Sequence, residues 1–194
     1  MILDRHILAG LAVDITPSAY VRVTPMAHAM TPLGTGTGFT RFASPTKAFK
    51  VIYLAEDLTT AVAETLVRDR FQGRAKRKLL DVEADLWGAT EVTATKPLTL
   101  IDLRTTGLVR LGVSTEAARG KAQSQGRRLS QAIYDQTDAE GLIYISRLTG
   151  GACLCLYDRA LPAGLAANPV IEVARLPGFV DALQSLNVTV ISTS

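Results

Sequence analysis

The sequence predicts an α+β protein of a single domain. Segments with the two-residue period of strands and segments with helical periodicity both occur, but they do not alternate regularly enough for a doubly wound sheet. Apolar residues make up 47% of the chain and charged residues 20%, which is typical of a globular protein with a buried core. A length of 194 residues fits one domain, so we expect residues 1–194 to fold as one unit.

The first half of the chain is predicted to contain two helices, two strands and a glycine-rich loop. Strand alternation places Arg22 on the opposite face from Val21 and Val23, and Asp57 has the position of a helix N-cap. The predicted elements are a short helix within residues 1–19, a strand at 20–23, a loop at 24–40, a buried strand at 51–55 and a helix at 58–71.

The second half is predicted to contain two helices and four strands. Ser114 or Thr115 is expected to cap a helix that Gly120 and Gly126 weaken. Two apolar runs separated by a turn indicate neighbouring strands. The predicted elements are a strand at 98–103, a helix from the cap to residue 135, strands at 142–145 and 153–157, a helix at 179–186 and a strand at 188–191.

Composition excludes several classes of function. A net charge of +3 suits phosphate-bearing ligands but is too small for a nucleic-acid-binding face, so no direct nucleic-acid contact is expected. Two histidines and two cysteines, without a zinc-ligand spacing, predict no metal site. No apolar run reaches the ~18 residues of a membrane span. The N-terminus lacks a signal-peptide pattern, and a cytoplasmic protein is expected.

Two further features leave alternatives open. The glycine run at residues 34–38 departs from the dinucleotide fingerprint, because the third glycine would fall at Phe39. Basic residues crowd positions 68–78, which is typical of a solvated helix end but also compatible with RNA contact. One alternative function is therefore a ribonuclease toxin that uses residues 68–78, although no convincing general base accompanies it. Another is a binding module without enzymatic activity.

Four segments together carry arginines, a tyrosine, a glutamate and a serine. Their order and spacing resemble those of the RES-domain toxins, a family named for an arginine, a glutamate and a serine. The segments are YVRV at 20–23, GFTRF at 38–42, VIYLA at 51–55 running into AVAET at 61–65, and GLIYISR at 141–147 with 153–159 behind it. The resemblance covers a core of about residues 20–159, with residues 1–19 as an N-terminal helix and 160–194 as a C-terminal extension.

The resemblance implies a fold, an activity and a partner. The fold would be similar to that of ADP-ribosyltransferases, with two small packed sheets. The activity would be cleavage of the nicotinamide–ribose bond of NAD as substrate, with ADP-ribose passing to phosphate, to water or to a protein such as phosphoribosyl pyrophosphate synthetase. The partner would be an Xre-type antitoxin with a helix-turn-helix domain that blocks the active site.

The resemblance also implies roles for five residues. Arg22 and Arg41 would grip phosphates, Tyr53 would stack on nicotinamide, Glu64 would stabilise the ribose cation and Ser146 would position the ribose. Taken without the resemblance, the arginines fit surface ion pairs, Tyr53 a core residue, Glu64 a helical pair with Arg68, and Ser146 a turn cap. Ser124 and Gln125 are weaker candidates for contacts near the substrate.

One segment departs from the family pattern. Many members have Gly-Gly-Arg-Trp-Asn where this chain has Phe-Thr-Arg-Phe-Ala at residues 39–43. The arginine is retained while its neighbours differ, so the shape of the pocket is expected to differ as well. The departure favours a protein as the acceptor of ADP-ribose.

Overall fold

The computed structural model describes residues 1–192 and consists of a curled sheet, a small second sheet and short helices. The strands are β1 (Ala12–Ile15), β2 (Tyr20–Pro25), β3 (Val51–Ala55), β4 (Lys78–Leu80), β5 (Trp87–Ala94), β6 (Leu98–Asp102), β7 (Gly141–Ile145), β8 (Ala152–Tyr157), β9 (Leu165–Ala167), β10 (Ile171–Glu172) and β11 (Thr189–Ile191). The helices are α1 (Arg5–Ala9), α2 (Leu58–Val62), α3 (Asp81–Ala84), α4 (Gly107–Arg110), α5 (Glu116–Arg119), α6 (Ser124–Gln136) and α7 (Phe179–Ser185). Among residues 1–192, no helix is long and apolar enough to cross a membrane.

Nine strands form the main sheet, in the order β1-β6-β7-β8-β3-β2-β5-β10, with β9 also paired to β5. Neighbours are antiparallel except β6 and β7, which are parallel. The junction between β3 and β2 is narrow, because a single register pair, Val21 with Ala55, joins them. The sheet therefore consists of two halves that separate along most of this junction.

The two halves pack against each other through a strand-built core. Ile52 and Leu54 of β3 contribute to it from one half, and Val92 of β5 contributes from the other. Since side chains alternate along a strand, Val51 and Ala55 face the opposite way, toward helix α6. A third core lies between α2, α7 and the β4–β11 sheet. The halves correspond to the two small packed sheets that were expected, although they remain joined in one sheet.

Most predicted elements are present. The strands expected at 20–23, 51–55, 98–103, 142–145, 153–157 and 188–191 correspond to β2, β3, β6, β7, β8 and β11, and the helix expected at 179–186 is α7. The expectation for residues 1–19 was incomplete, because β1 follows the short helix α1 and pairs with β6. Residues 160–192 are integrated with the rest, since β9 and β10 pair with β5.

Two predicted helices are shorter than expected. The helix expected at 58–71 begins as predicted, with Asp57 accepting from the Thr60 amide at 2.7 Å, but it ends at Val67 after a π-helical turn. The helix expected up to residue 135 is divided into α5 and α6, because α5 ends at Gly120. Both differences lie at the candidate site.

Candidate active site

A cavity of about 330 Å³ opens where β2 and β3 separate. Strand β2 contributes two valines and β3 contributes Tyr53 and two apolar side chains, and the polar Glu64 and Thr65 come from the π-helical turn that follows α2. The lining consists of Val21, Val23, Thr40, Arg41, Tyr53, Leu54, Ala55, Ala61, Glu64, Thr65, Arg68, Tyr144 and Cys153. This volume lies near the lower end of the ~300–1,000 Å³ of small-molecule sites.

Glu64 reaches the cavity from a π-helical turn, Ala63–Val67, that continues α2. The turn is closed by the Arg68 amide, which donates to the Ala63 carbonyl at 2.7 Å, five residues back. Such turns are rare and frequently occur at functional sites. The alternative interpretation, a helical ion pair between Glu64 and Arg68, is not what the structure contains, because Arg68 Nε lies 3.9 Å from the Asp69 carboxylate.

Ser146 holds the Glu64 carboxylate. Its Oγ donates to Glu64 Oε1 at 2.7 Å and accepts from the Leu148 amide at 3.1 Å. Ser146 is 2% exposed, so this hydrogen bond is shielded from water. The turn after β7 is tied to α2 as well, since the Thr60 and Thr149 hydroxyls lie 3.0 Å apart. Ser146 thus caps a turn and orients Glu64 with the same oxygen.

Arg41 lies in the cavity wall, 6% exposed. Its Nη1 donates to the carbonyl of Gly120, the residue at which α5 ends. Gly126 of α6 leaves the room that Arg41 needs: a Cβ there would lie 2.7 Å from the Arg41 carbonyl and 2.9 Å from its Cγ. Burial lowers the pKa of Arg41, as does the charge of Arg68, whereas the Glu64 carboxylate raises it. The break between α5 and α6 therefore positions this arginine.

Tyr53 lines the cavity with its ring and supports the Arg41 loop with its hydroxyl. The hydroxyl accepts from the Phe42 amide at 2.9 Å and donates to Thr40 Oγ1 at 2.9 Å. Burial raises the pKa of this phenol well above its ordinary value, so it remains a donor. The tyrosine predicted as a stacking residue is also an anchor for residues 40–42.

Arg22 is not brought to the cavity. Its Nη1 donates to the Pro32 carbonyl at 2.6 Å and its Nη2 donates to the Gly34 carbonyl at 2.7 Å. Burial lowers the pKa of its guanidinium to about 10. The structure therefore does not bring Arg22 together with Arg41 and Glu64, because strand alternation turns its side chain away from Val21 and Val23, which do line the cavity.

The two weaker candidates also lie away from the cavity lining. Ser124 is exposed and Gln125 is half-buried, both in the first turn of α6. Helix α6 approaches the site through the next residue, Gly126, rather than through these side chains. The structure therefore does not bring Ser124 and Gln125 together with the residues that line the cavity.

Arg68 and Tyr144 were missed by the sequence reasoning. Arg68 belongs to the basic stretch and was interpreted as part of a solvated helix end, yet it lines the cavity together with Glu64. Arg147 lies nearby, where its Nη2 donates to Asp69 Oδ1 at 2.7 Å. Tyr144 follows from strand alternation within β7, since it faces the same core as Leu142. Arg68 differs from the basic residues that follow it because the helix ends just before it. No sequence signal marked that early end, so Arg68 could not be distinguished from the rest of the basic stretch.

Two other arginines of the basic stretch have partners elsewhere in the protein. Arg70 donates to Glu83, and Arg77 donates to the Leu186 carbonyl at 3.0 Å. Both guanidiniums also lie over the ring of Phe71, 5.3 and 5.7 Å from its centroid. Within the described part of the chain, no three His, Cys, Asp or Glu side chains come together as a potential metal site.

Comparison with known proteins assigns the family. The model of the RES domain matches residues 13–177, which is most of the chain. The chain belongs to the RES domain family. The core of about 20–159 that the sequence motifs indicated lies inside the matched range.

A relative and a solved structure resemble this RES domain. The "Probable toxin y4kH" of Sinorhizobium fredii is 42% identical over 72 residues, which are 37% of this chain and 57% of the relative's length. The crystal structure of the M. tuberculosis MbcT–MbcA toxin–antitoxin complex contains a chain with a TM-score of 0.65 and 17% identity, covering 87% of this chain and 92% of the other. The predicted α+β fold is confirmed, and this RES domain shares its fold with that chain.

Proposed function

We propose that this RES domain cleaves the nicotinamide–ribose bond of NAD and passes the ADP-ribose to an acceptor. The observation that carries the proposal is that a carboxylate, Glu64, and a buried guanidinium, Arg41, lie in the wall of one cavity. Cleavage of this bond needs little acid catalysis, because the electron pair of the bond returns to the ring nitrogen and nicotinamide leaves as a neutral molecule. What needs stabilisation is the positive charge on the ribose.

Glu64 is the group that stabilises this charge. A fixed carboxylate beside an oxocarbenium-like carbon acts as in glycoside hydrolysis, where carboxylates flank the same kind of cation. Ser146 holds Oε1 at 2.7 Å, and among residues 1–192 Oε2 has no hydrogen-bond partner, so Oε2 is available to the ribose. Losing one preorganised group of this kind typically costs ~3–4 kcal/mol in the barrier.

Arg41 and Arg68 bind the diphosphate. Arg41 uses Nη1 for the Gly120 carbonyl and keeps its remaining donors for a ligand. Arg68 lines the same cavity, so the pair supplies the two positive charges that were first assigned to Arg22 and Arg41. Guanidiniums suit this role because they form paired hydrogen bonds to phosphate oxygens.

The nicotinamide end of the substrate contacts the aromatic and apolar side of the cavity. The rings of Tyr53 and Tyr144 and the side chains of Val21 and Val23 form that side. The faces of aromatic rings attract cations, so they favour the positively charged ring of intact NAD over the neutral product. An apolar wall also excludes water and strengthens the interaction between Glu64 and the developing charge.

In the cell, the protein is the toxic member of a toxin–antitoxin pair. The names of the relative, a probable toxin, and of the MbcT–MbcA complex support this role. The partner is an Xre-type antitoxin with a helix-turn-helix domain that covers the cavity. The acceptor is a protein, such as phosphoribosyl pyrophosphate synthetase, or else phosphate or water, in which case the cell's NAD is depleted. The ribonuclease alternative is weaker, because Arg70 and Arg77 already have partners within the protein.

The test follows free nicotinamide after purified protein, without antitoxin, is mixed with NAD. Parallel reactions contain phosphate, no phosphate, or phosphoribosyl pyrophosphate synthetase with labelled NAD. Glu64→Gln keeps the size of the side chain and removes the charge, and Asp138→Asn, at an exposed carboxylate, is the matched control. We expect cleavage by the wild type and by the control, and a loss of about 10²–10³ in rate for Glu64→Gln. RNA cleavage with NAD intact would refute the proposal.

A further inference from the structure

Phe39 is a large aromatic side chain that the fold leaves in solvent beside the cavity. It is 83% exposed, and the next two residues, Thr40 and Arg41, line the cavity. The guanidinium of Arg127 lies over one face of its ring, 5.3 Å from the centroid. The exposed part of the ring is available to a flat partner.

The backbone that carries Phe39 is fixed. Arg127 donates through Nη2 to the Phe39 carbonyl and through Nε to the Thr40 carbonyl at 3.1 Å. The Thr40 hydroxyl accepts from Tyr53, which lines the cavity as well. Exposure of the ring therefore does not reflect a loose segment: three hydrogen bonds hold its position relative to the cavity.

The space next to Phe39 is kept open. A Cβ built at Gly38 would meet no atom within 4 Å, and the backbone of Gly38 does not have a positive φ. Neither packing nor backbone conformation within the described residues therefore requires a glycine at this position. The glycine leaves room beside the ring for a group from outside the chain.

The cavity encloses only part of the substrate proposed above. A volume of about 330 Å³ lies near the lower end of the range for small-molecule sites, whereas a dinucleotide carries two nucleosides and a diphosphate. We propose that Phe39, with Arg127 behind its ring, is the stacking surface for the adenine base of NAD. This inference rests on the proposed function, because it names where the second half of that substrate binds.

The chemistry of the two groups fits a purine. Bases stack on aromatic side chains irrespective of their hydrogen-bonding edges, and a guanidinium on the far side of the ring adds a cation–π contact. Arg127 also places a positive charge beside Phe39 and Thr40, next to the cavity that Thr40 lines. A substrate without adenine cannot use this surface.

The experiment compares NAD with nicotinamide mononucleotide, which lacks the adenosine half. KM and kcat for NAD are measured for the wild type, Phe39→Ala and Phe39→Trp, and the affinity for the mononucleotide is measured as competition against NAD cleavage. Val109→Ala, at an apolar residue that is 68% exposed on α4, is the control. We expect Phe39→Ala to raise the KM for NAD by about 5- to 150-fold, the range that corresponds to base–aromatic stacking. We also expect kcat and the affinity for the mononucleotide to be unchanged, and Phe39→Trp to restore the KM.

Each contrary result has a definite meaning. An unchanged KM for NAD in Phe39→Ala would overturn the inference while leaving NAD cleavage intact. An equal loss of affinity for NAD and for the mononucleotide would also overturn it, because Phe39 would then shape the cavity rather than bind adenine. A wild-type protein that does not cleave NAD would refute the proposed function itself, and the adenine surface with it.

Discussion

Ser146 Oγ and Glu64 Oε1 are joined by a hydrogen bond of 2.7 Å although the residues lie 82 positions apart in the sequence. Ser146 directly follows strand β7, and Glu64 lies on the π-helical turn after α2. The bond fixes one carboxylate oxygen and leaves the other toward the cavity. Tertiary structure, rather than either local segment, therefore determines how this carboxylate is presented.

Ser146→Ala removes that bond without adding bulk. We expect kcat for NAD cleavage to fall about tenfold or more, because a hydrogen bond to a charged group contributes ~1.5–3 kcal/mol. The KM should change little, since Ser146 does not itself line the cavity. Steady-state kinetics check the split between kcat and KM. A rise in KM with kcat preserved would mean that Ser146 contacts the substrate directly.

Arg68→Met should change substrate binding, whereas Arg22→Met should change stability. The first removes a cavity guanidinium, and we expect a raised KM for NAD with a reduced dependence on salt. The second breaks the bonds to Pro32 and Gly34, and we expect a loss of about 2 kcal/mol or more in the free energy of unfolding. Denaturant unfolding and kinetics on both variants test the pair. An Arg22 variant of normal stability with a raised KM would restore Arg22 as a ligand.

Tyr53→Phe separates anchoring from stacking. The ring is retained, but the hydroxyl bonds to Thr40 and to the Phe42 amide are lost. We expect destabilisation of about 1–3 kcal/mol, because a buried amide loses its acceptor, and a lower kcat as Arg41 loosens. Thermal unfolding and kinetics measure both effects. If Tyr53→Phe behaves as wild type in both, the hydroxyl has no role in holding the loop.

Gly126→Ala should displace Arg41, because helix α6 packs directly against it. The new Cβ would lie 2.5 Å from the Ala117 carbonyl and 2.7 Å from the Arg41 carbonyl, so α6 must move. Overpacking of this kind costs ~1–3 kcal/mol, partly offset by the better helix propensity of alanine, ~1 kcal/mol. Gly38→Ala is the matched control, with no atom within 4 Å of its Cβ. Equal unfolding free energies for the two variants would contradict the close approach of α6.

Cys153 predicts a pH dependence of stability. Burial raises the pKa of its thiol from 9.0 to about 12. Between these values the unfolded chain loses a proton that the folded protein keeps, so stability falls as pH rises, by ~1.4 kcal/mol per pH unit for one thiol. Below the ordinary value of 9.0, this contribution is fully present. Cys153→Ala should show a shallower decline above pH 9 in denaturant unfolding, and parallel declines would disprove the shift.

Local sequence patterns predicted which helices and strands carry the site better than they predicted where those elements end. The alternation in β2 already separated Arg22 from Val21 and Val23, and the structure follows it. The role given to Arg22 came from the family pattern and ignored that alternation. The π-helical turn had no signal in residues 58–71, and the hydrogen bond that Glu64 forms from this turn reaches a residue 82 positions away, Ser146.

Other features depended on contacts that no local pattern contains. Strand β5 has small residues where strands usually have branched ones, and Gly88 is needed because a Cβ there would lie 2.4 Å from Val170 and 2.6 Å from Met26. The role of Gly120 as the acceptor for Arg41 likewise depends on a contact between residues 79 positions apart. Neither relationship can be read from neighbouring residues.

The single register pair between Val21 and Ala55 makes the junction of β2 and β3 the weakly paired part of the main sheet. Moving β2 away from β3 would break few backbone hydrogen bonds, whereas a complete ladder would have to unzip residue by residue. The opening of the cavity can therefore widen while the ladders on either side, β2 with β5 and β3 with β8, stay intact. A bulky molecule could therefore enter by bending of the sheet at this junction, without loss of either ladder.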